Sequence, residues 1–445
     1  MHPTATESLP TSRAIILERL GQVRARTFSL VESLSEDALN RVHDPLMSPV
    51  VWDLGHIATF EDQWLAQNAF GAPPLREGLG RVYDPFNAPR SERGDLPYLR
   101  SEDCFRYMAA VRARTAELLE SADLSPDGGP LLTGGLVYEM ILRHEQQHSE
   151  TILQTLQTMG GESYTPRPAY DTPAPAEVRR DEMLLVPEGT FEMGTESPLG
   201  GTGFSYDNER PRYERHVAAF YIDPTPVTNG DFMAFIADDG YERPELWSEG
   251  GRRWLEKGRR LPRYWSREGD ELVMRSFDRV ERVDPDRPLC HVSWYEADAY
   301  ARYAGKRLPT EAEWEKAASW DDSAQTKRLQ PWGDAAATRD LANLDQLAFE
   351  TAPAGAYAEG ASPCGALQMA GDVWEWTASG FEAYPGFEAF PYPEYSAEFF
   401  GGPYRVLRGG AWATQPQAVS NTFRNWDYPE RRQIFAGLRC AKDAA

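Results

Sequence analysis

At 445 residues, with 46 Lys and Arg against 69 Asp and Glu, the chain carries a formal charge of −23. That length allows two or three domains with cores of their own, and the charge repels nucleic acid and anionic membrane surfaces, which leaves small molecules or proteins as the expected partners. The opening MHPTATESLPTSRAIILERL has no apolar run suited to a secretory signal, no later segment approaches the ~20 apolar residues of a membrane span, and the four cysteines form no C-x-x-C pair. A cytoplasmic protein with no membrane attachment is therefore expected, and any metal must be held by other residue types.

The first 162 residues read as four helices. TSRAIILERLGQVRARTFSLVESL has helical spacing after Thr11/Ser12, and SPVVWDLGHIATFEDQWLAQ opens with Ser48 as the predicted N-cap and Pro49 as the first helical residue. SEDCFRYMAAVRARTAELLESA and GGLVYEMILRHEQQHSETILQTLQTM follow, the last ending at Gly160-Gly161. Four such helices predict a bundle over residues 1–162. Residues 163–182 are rich in proline without apolar periodicity and predict an extended linker. From 183 to 445, short apolar runs alternate with Gly, Pro and Asp clusters, and tryptophan recurs in EWEKAA, GDVWEWT, GGAWA and RNWD. This predicts an α+β domain with little regular structure and many aromatic anchors.

The stretch HEQQH at 144–148 reads as the H-E-x-x-H of zinc proteases. Histidines four apart lie one above the other on a helix face, so His144 and His148 can bind one ion together. A protease needs a third ligand further on, yet the metzincin positions hold Thr151 and Gln154, and the chain turns proline-rich beyond Gly161. Of the seven histidines, His2 and His43 read as terminal and loop residues, and His216 and His291 lie beyond the linker. His56 is the remaining candidate: it shares a helix face with Trp52 and Phe60, where a lone histidine would serve as a core residue but a third metal ligand is also possible. Three imidazoles without a carboxylate suit Zn, Fe, Ni or Cu.

In the second half, MLLVPEGTFEMGT, RPRYERHVAAFYIDPTPVTNGDFMAFI, CGALQMAGDVWEWT, YRVLRGGAWA and FAGLRCA together resemble the formylglycine-generating-enzyme (sulfatase-modifying factor) family, which implies a C-type-lectin-like fold. That family's reactive cysteine pair is missing, since NTFRNWDYPERRQIFAGLRC has no cysteine before Cys440. The whole chain, with a DinB-like bundle holding H-x3-H ahead of that domain and RNWDYPERRQIFAG near its end, resembles the ergothioneine-pathway sulfoxide synthases. The resemblance implies a non-haem iron(II) enzyme that joins hercynine to γ-glutamylcysteine with O2, with His56, His144 and His148 as the iron clamp and Glu145 not acting as a base.

The same resemblance implies residue roles. Its active-site tyrosine, a proton donor, and a second tyrosine three residues on that helps to hold hercynine correspond to Tyr392 and Tyr395, with Tyr384 the competing donor; as plain residues all three could be aromatic loop anchors. Asn425 and Gln147 correspond to hercynine-holding residues, Asp427 to the partner of the thiol substrate's ammonium, and Trp426 to a residue packed on substrate or filling the core. Arg90 and Arg93 match the spacing of the arginines that bind γ-glutamylcysteine carboxylates; otherwise they are a solvated loop pair. Arg424, Arg431 and Arg432 are open to structural ion pairing. Two rival functions stand beside this reading: the same scaffold using cysteine or a selenosugar, and a non-catalytic lectin-like module on a metal-stabilised bundle.

Overall fold

The computed structural model describes residues 12–160, 164–200 and 203–444, so His2, Thr11, Gly161 and the first residue of the expected linker lie outside it. The chain divides into two compact units, one running through Thr165 with Leu199–Phe204 added, the other formed by Pro166–Pro198 and Ser205–Ala445.

The first unit is helical. Its elements are α1 (Arg13–Val31), α2 (Glu36–Asn40), α3 (Val50–Glu61), α4 (Leu79–Val82), α5 (Ser101–Ser121) and α6 (Leu136–Met159). Ser12 caps α1 by accepting from the Ile15 amide. At α3 the expected cap is corrected. Pro49 occupies the cap position with no side-chain bond, and the Ser48 hydroxyl instead accepts from Arg93 at 2.8 Å. After Glu61 the helix continues as a π-helical segment, Asp62–Ala69. The wider turn is pinned at its first residue: the Asp62 carboxylate accepts from Gln67 within the segment and from the Leu75 amide and Arg114 outside it. Gly134 and Gly135, both with positive φ, form the bend that starts α6, and Gly160 ends it at φ 77°.

The bundle core is not purely apolar. Glu61 and Glu145, each fully buried, are bridged by Arg24 and Arg112: Arg24 lies 2.7 Å from Glu145 and 3.0 Å from Glu61, Arg112 2.8 Å from Glu61 and 2.9 Å from Glu145. Thr27 and Thr115 hydroxyls supply the remaining donors. Burial alone would raise the Glu61 carboxyl, but Arg112 and Arg24 outweigh it and hold it below the usual range. Two cations and two anions cancel, so the network joins α1, α3, α5 and α6 without a net buried charge.

The second unit is α+β. A four-stranded sheet runs in the order Asn425–Asp427, Arg405–Arg408, Trp374–Gly380, Ala436–Gly437, antiparallel except for the last pairing. A three-stranded antiparallel sheet pairs Phe220–Ile222 with Leu184–Val186 and Ala441–Asp443. Helices begin in capping boxes, Thr228 with Asp231, Ser293 with Glu296 and Thr310 with Glu313. Phe191, Phe220, Trp314 and Tyr384 fill the core between them. Residues 166–182, expected as a linker, lie against this unit. Their backbone finds partners in distant loops, Ala169 donating to Leu347 O at 2.7 Å and Ala176 to Gly355 O at 2.9 Å, because a proline-rich strand without a ladder of its own must satisfy its amides elsewhere.

Candidate metal centre

His56 on α3 and His144 and His148 on α6 converge, their ligand nitrogens all within 4.8 Å of one another; among the described residues they are the one group able to hold a metal. The Nε2 atoms of His56 and His144 are 3.1 Å apart. Two nitrogens each about 2.1 Å from one ion would stand about 3 Å apart at a right angle. The partners of the other ring nitrogens fix the tautomers. His56 Nδ1 is 2.7 Å from the Tyr83 carbonyl, which can only accept, so Nδ1 carries the proton and Nε2 keeps its lone pair. His148 Nδ1 faces the buried Asp53 carboxylate at 3.2 Å, with the same result. Burial, then the neighbouring imidazoles, pushes His56 and His144 well below their ordinary pKa and keeps both rings neutral, as ligation requires. Three imidazole donors fit a first-row transition metal.

The rings are also held from the side. Phe60 stacks on His144 with centroids 3.6 Å apart and planes at 7°, and Trp52 stacks on His56 at 5.2 Å. A methyl at Gly55 would meet the Tyr83 ring at 2.2 Å, so only glycine lets that ring, and the carbonyl that orients His56, come this close. Arg93 is buried, its guanidinium 3.8 Å from the Trp52 ring, with Nε on the Ala88 carbonyl and Nη1 on Ser48. Those contacts use the Nε N–H and one on Nη1, and leave one N–H on Nη1 and two on Nη2. Arg90 gives Nη1 to the Leu46 carbonyl at 2.9 Å. Gln147, next to His148, is partly exposed. Glu145, one residue from His144 and hence about 100° around the helix, faces the Arg24–Arg112 network instead of the histidines.

The second unit gathers a different subset. Tyr395 stacks on Tyr206 at 4.1 Å and meets Trp426 edge-on at 5.6 Å, Tyr392 lies 6.2 Å from Tyr395, and Trp426 stacks on Phe381 at 4.1 Å. Burial, with Tyr206 and Asp207 adding to it, pushes the Tyr392 phenol well above its ordinary pKa. Tyr384 is elsewhere: it sits in the hydrophobic core, 5% exposed, beside Tyr213 and under the Arg424 guanidinium. Asn425 and Asp427 flank Trp426 on one strand, and the alternation of a strand sets them on the opposite face from the indole. Asn425 Oδ1 accepts from the Trp426 amide, and Asp427 lies 3.5 Å from Arg431. Arg424 and Arg432 are structural, paired with Glu311 and Glu296.

Asp53 and Tyr83 escaped the sequence reading. Asp53 stands three residues before His56, on the same helix face, and that spacing was the available signal. Tyr83 acts through its backbone carbonyl, which no side-chain pattern reveals.

Residues 19–152 match the DinB superfamily and residues 169–444 the sulfatase-modifying factor enzyme 1-like domain. The chain thus joins a DinB-type bundle with a three-histidine centre to a sulfatase-modifying-factor domain. It is 43% identical over 441 residues to the hercynine oxygenase of Mycolicibacterium thermoresistibile, covering 97% of this chain and 95% of that protein. The hercynine oxygenase of Mycobacterium tuberculosis is 44% identical over 430 residues, 95% of this chain and 97% of its own. The chain belongs to the hercynine oxygenase family and is an oxygenase. The formylglycine-generating enzyme of Streptomyces coelicolor is 33% identical over 307 residues, 59% of this chain and 89% of its own length. Cys440 is fully buried, and burial and then Asp223 push its thiol well above its ordinary pKa. Among the described residues, no helix is long and apolar enough to cross a membrane.

Proposed function

We propose that the chain is a non-haem iron(II) sulfoxide synthase of ergothioneine biosynthesis, acting in the cytoplasm to join hercynine to γ-glutamylcysteine with O2. The observation that carries this reading is the convergence of three imidazoles in a chain 41–44% identical to hercynine oxygenases along nearly all its length. Iron(II) held by His56, His144 and His148 would supply a centre that brings thiol and O2 together and passes electrons between them. The imidazole C–H and the thiol S–H are lost as the C–S bond forms. One oxygen atom ends on sulfur and the other leaves as water, so the four electrons taken from the two substrates match the four that O2 accepts.

The chain's own residues bind and supply protons. Tyr392, protonated at neutral pH, is the proton donor; Tyr384, enclosed in the core, is not. Tyr395, Gln147 and Asn425 hold hercynine, and the face of Trp426 is suited to a trimethylammonium group. Asp427 takes the ammonium of γ-glutamylcysteine, and Arg90 and Arg93 its carboxylates.

The thiol assignment is tested at Arg90. Losing one charge-assisted contact costs about 1.5–3 kcal/mol, roughly ten- to a hundredfold in affinity. Arg90→Ala is expected to raise the apparent KM for γ-glutamylcysteine by that factor and leave hercynine nearly unaffected in steady-state kinetics. Arg93→Ala is a less selective probe, since it also removes the group packed on Trp52 behind His56. If the parent enzyme prefers cysteine or a selenosugar, or if Arg90→Ala behaves like the parent with γ-glutamylcysteine, the donor must be reassigned.

A further inference from the structure

The tyrosine loop rests on a turn nearly two hundred residues earlier in the chain. Asp207–Glu209 form a short 3-10 turn entered at Tyr206, whose amide donates to the Glu209 carboxylate at 2.7 Å. This turn grips the loop at three places. At the front, the Arg210 guanidinium donates to the Phe390 carbonyl at 3.1 Å. Behind Tyr395, the Ser396 hydroxyl is bonded to Asp207 Oδ1 and receives the Asn208 side-chain amide at 3.1 Å. Between them, the Tyr206 ring stacks on Tyr395 at 4.1 Å and 13°. Asp207, Asn208 and Ser396 are all buried, at 2%, 1% and 0% exposure.

The turn itself is anchored. Arg424, clamped by Glu311, donates to the Asn208 carbonyl at 2.8 Å, and Thr422 donates to Glu209 at 2.7 Å. Arg424 immediately precedes Asn425-Trp426-Asp427, so one turn is bonded both to the tyrosine loop and to the base of that strand. Between Phe390 and Ser396 the loop has no sheet partner, only a single turn at Pro393–Tyr395. Without outside bonds a segment of that kind would sample many conformations.

We propose that Asp207 is a positioning residue: through Ser396 its carboxylate fixes the loop that aims Tyr392 and Tyr395. The functional half of this inference rests on the reading of Tyr392 as proton donor; the structural half does not. A carboxylate at this position accepts from the Ser396 hydroxyl more strongly than a neutral amide oxygen would.

Three iron-loaded variants of the full chain, Asp207→Asn, Ser396→Ala and Tyr392→Phe, separate the two halves. Hydrogen exchange of the 390–396 peptide reads the grip directly: losing a hydrogen bond to a charged group typically changes a local equilibrium by roughly ten- to a hundredfold. Exchange there is expected to quicken by at least about tenfold in Asp207→Asn and Ser396→Ala but not in Tyr392→Phe, with iron content unchanged in all three. Unchanged exchange in both of the first two variants overturns the inference. Products are then compared by mass spectrometry. Asp207→Asn and Ser396→Ala are expected to shift the ratio of sulfoxide to thiol-derived sulfinic acid in the direction of Tyr392→Phe, and Ser396→Ala added to Tyr392→Phe should shift it no further. A loosened loop with the parent product ratio in Asp207→Asn and Ser396→Ala, while Tyr392→Phe shifts it, overturns the positioning role. If Tyr392→Phe itself leaves the ratio unchanged, the proton-donor reading fails, and the exchange result still decides the grip.

Discussion

His56→Ala is expected to abolish stoichiometric iron binding while leaving the bundle folded. His144 and His148 alone would remain, two donors on one helix face, and no other histidine, cysteine or carboxylate among the described residues completes a three-ligand set with them. Losing even a supporting hydrogen bond to a ligand histidine typically costs about 10–100-fold in metal affinity, so losing a ligand should cost more. The fold tolerates the change because the imidazole's bond to the Tyr83 carbonyl is one of many contacts tying α3 to the bundle, and an orphaned carbonyl costs about 1–3 kcal/mol. Metal analysis after anaerobic reconstitution and desalting reads the outcome; iron retained at the parent level would remove His56 from the centre.

Glu145→Gln is expected to weaken the fold rather than the chemistry. In a zinc protease the glutamate of H-E-x-x-H is the general base, and its amide leaves a stable, metal-loaded, inactive protein. Here the carboxylate neutralises Arg24 and Arg112 in the bundle core. Removing one partner of a buried pair typically costs about 3–5 kcal/mol, because a cation stays buried without its anion. For a unit of this size that lowers the thermal midpoint by roughly 10 °C. Calorimetry of the full chain distinguishes the cases, and an unchanged midpoint would contradict the structural role.

Patterns that repeat along the chain were legible before any coordinates. Helical spacing located α1, α3, α5 and α6, and the four-residue step from His144 to His148 put both on one face. What escaped was decided by partners far away in sequence. Ser48 reads as a cap, but Arg93 takes its hydroxyl, so the helix starts without it. Resemblance alone sets Glu145 aside as a base, and what its carboxylate does instead depends on Arg24, 121 residues away. Tyr384 and Tyr392 look alike in YPGFEAFPYPEYS, yet only the first is built into a hydrophobic core, because the core is assembled from strands around Phe191 and Phe220. The turn at Asp207 carried no visible signal, since its meaning lies in Ser396, 189 residues on.

The central claim, that three histidines hold an iron that joins hercynine to γ-glutamylcysteine, is tested most directly by one isotope experiment. Metal-free protein is reconstituted anaerobically with iron(II), given both substrates and exposed to 18O2, and the products are weighed by mass spectrometry. The account predicts a sulfoxide in which carbon and sulfur are joined and one atom of 18O is retained, formed only with iron and lost in His56→Ala. A joined product without 18O, or one formed equally well by the metal-free protein, would contradict it.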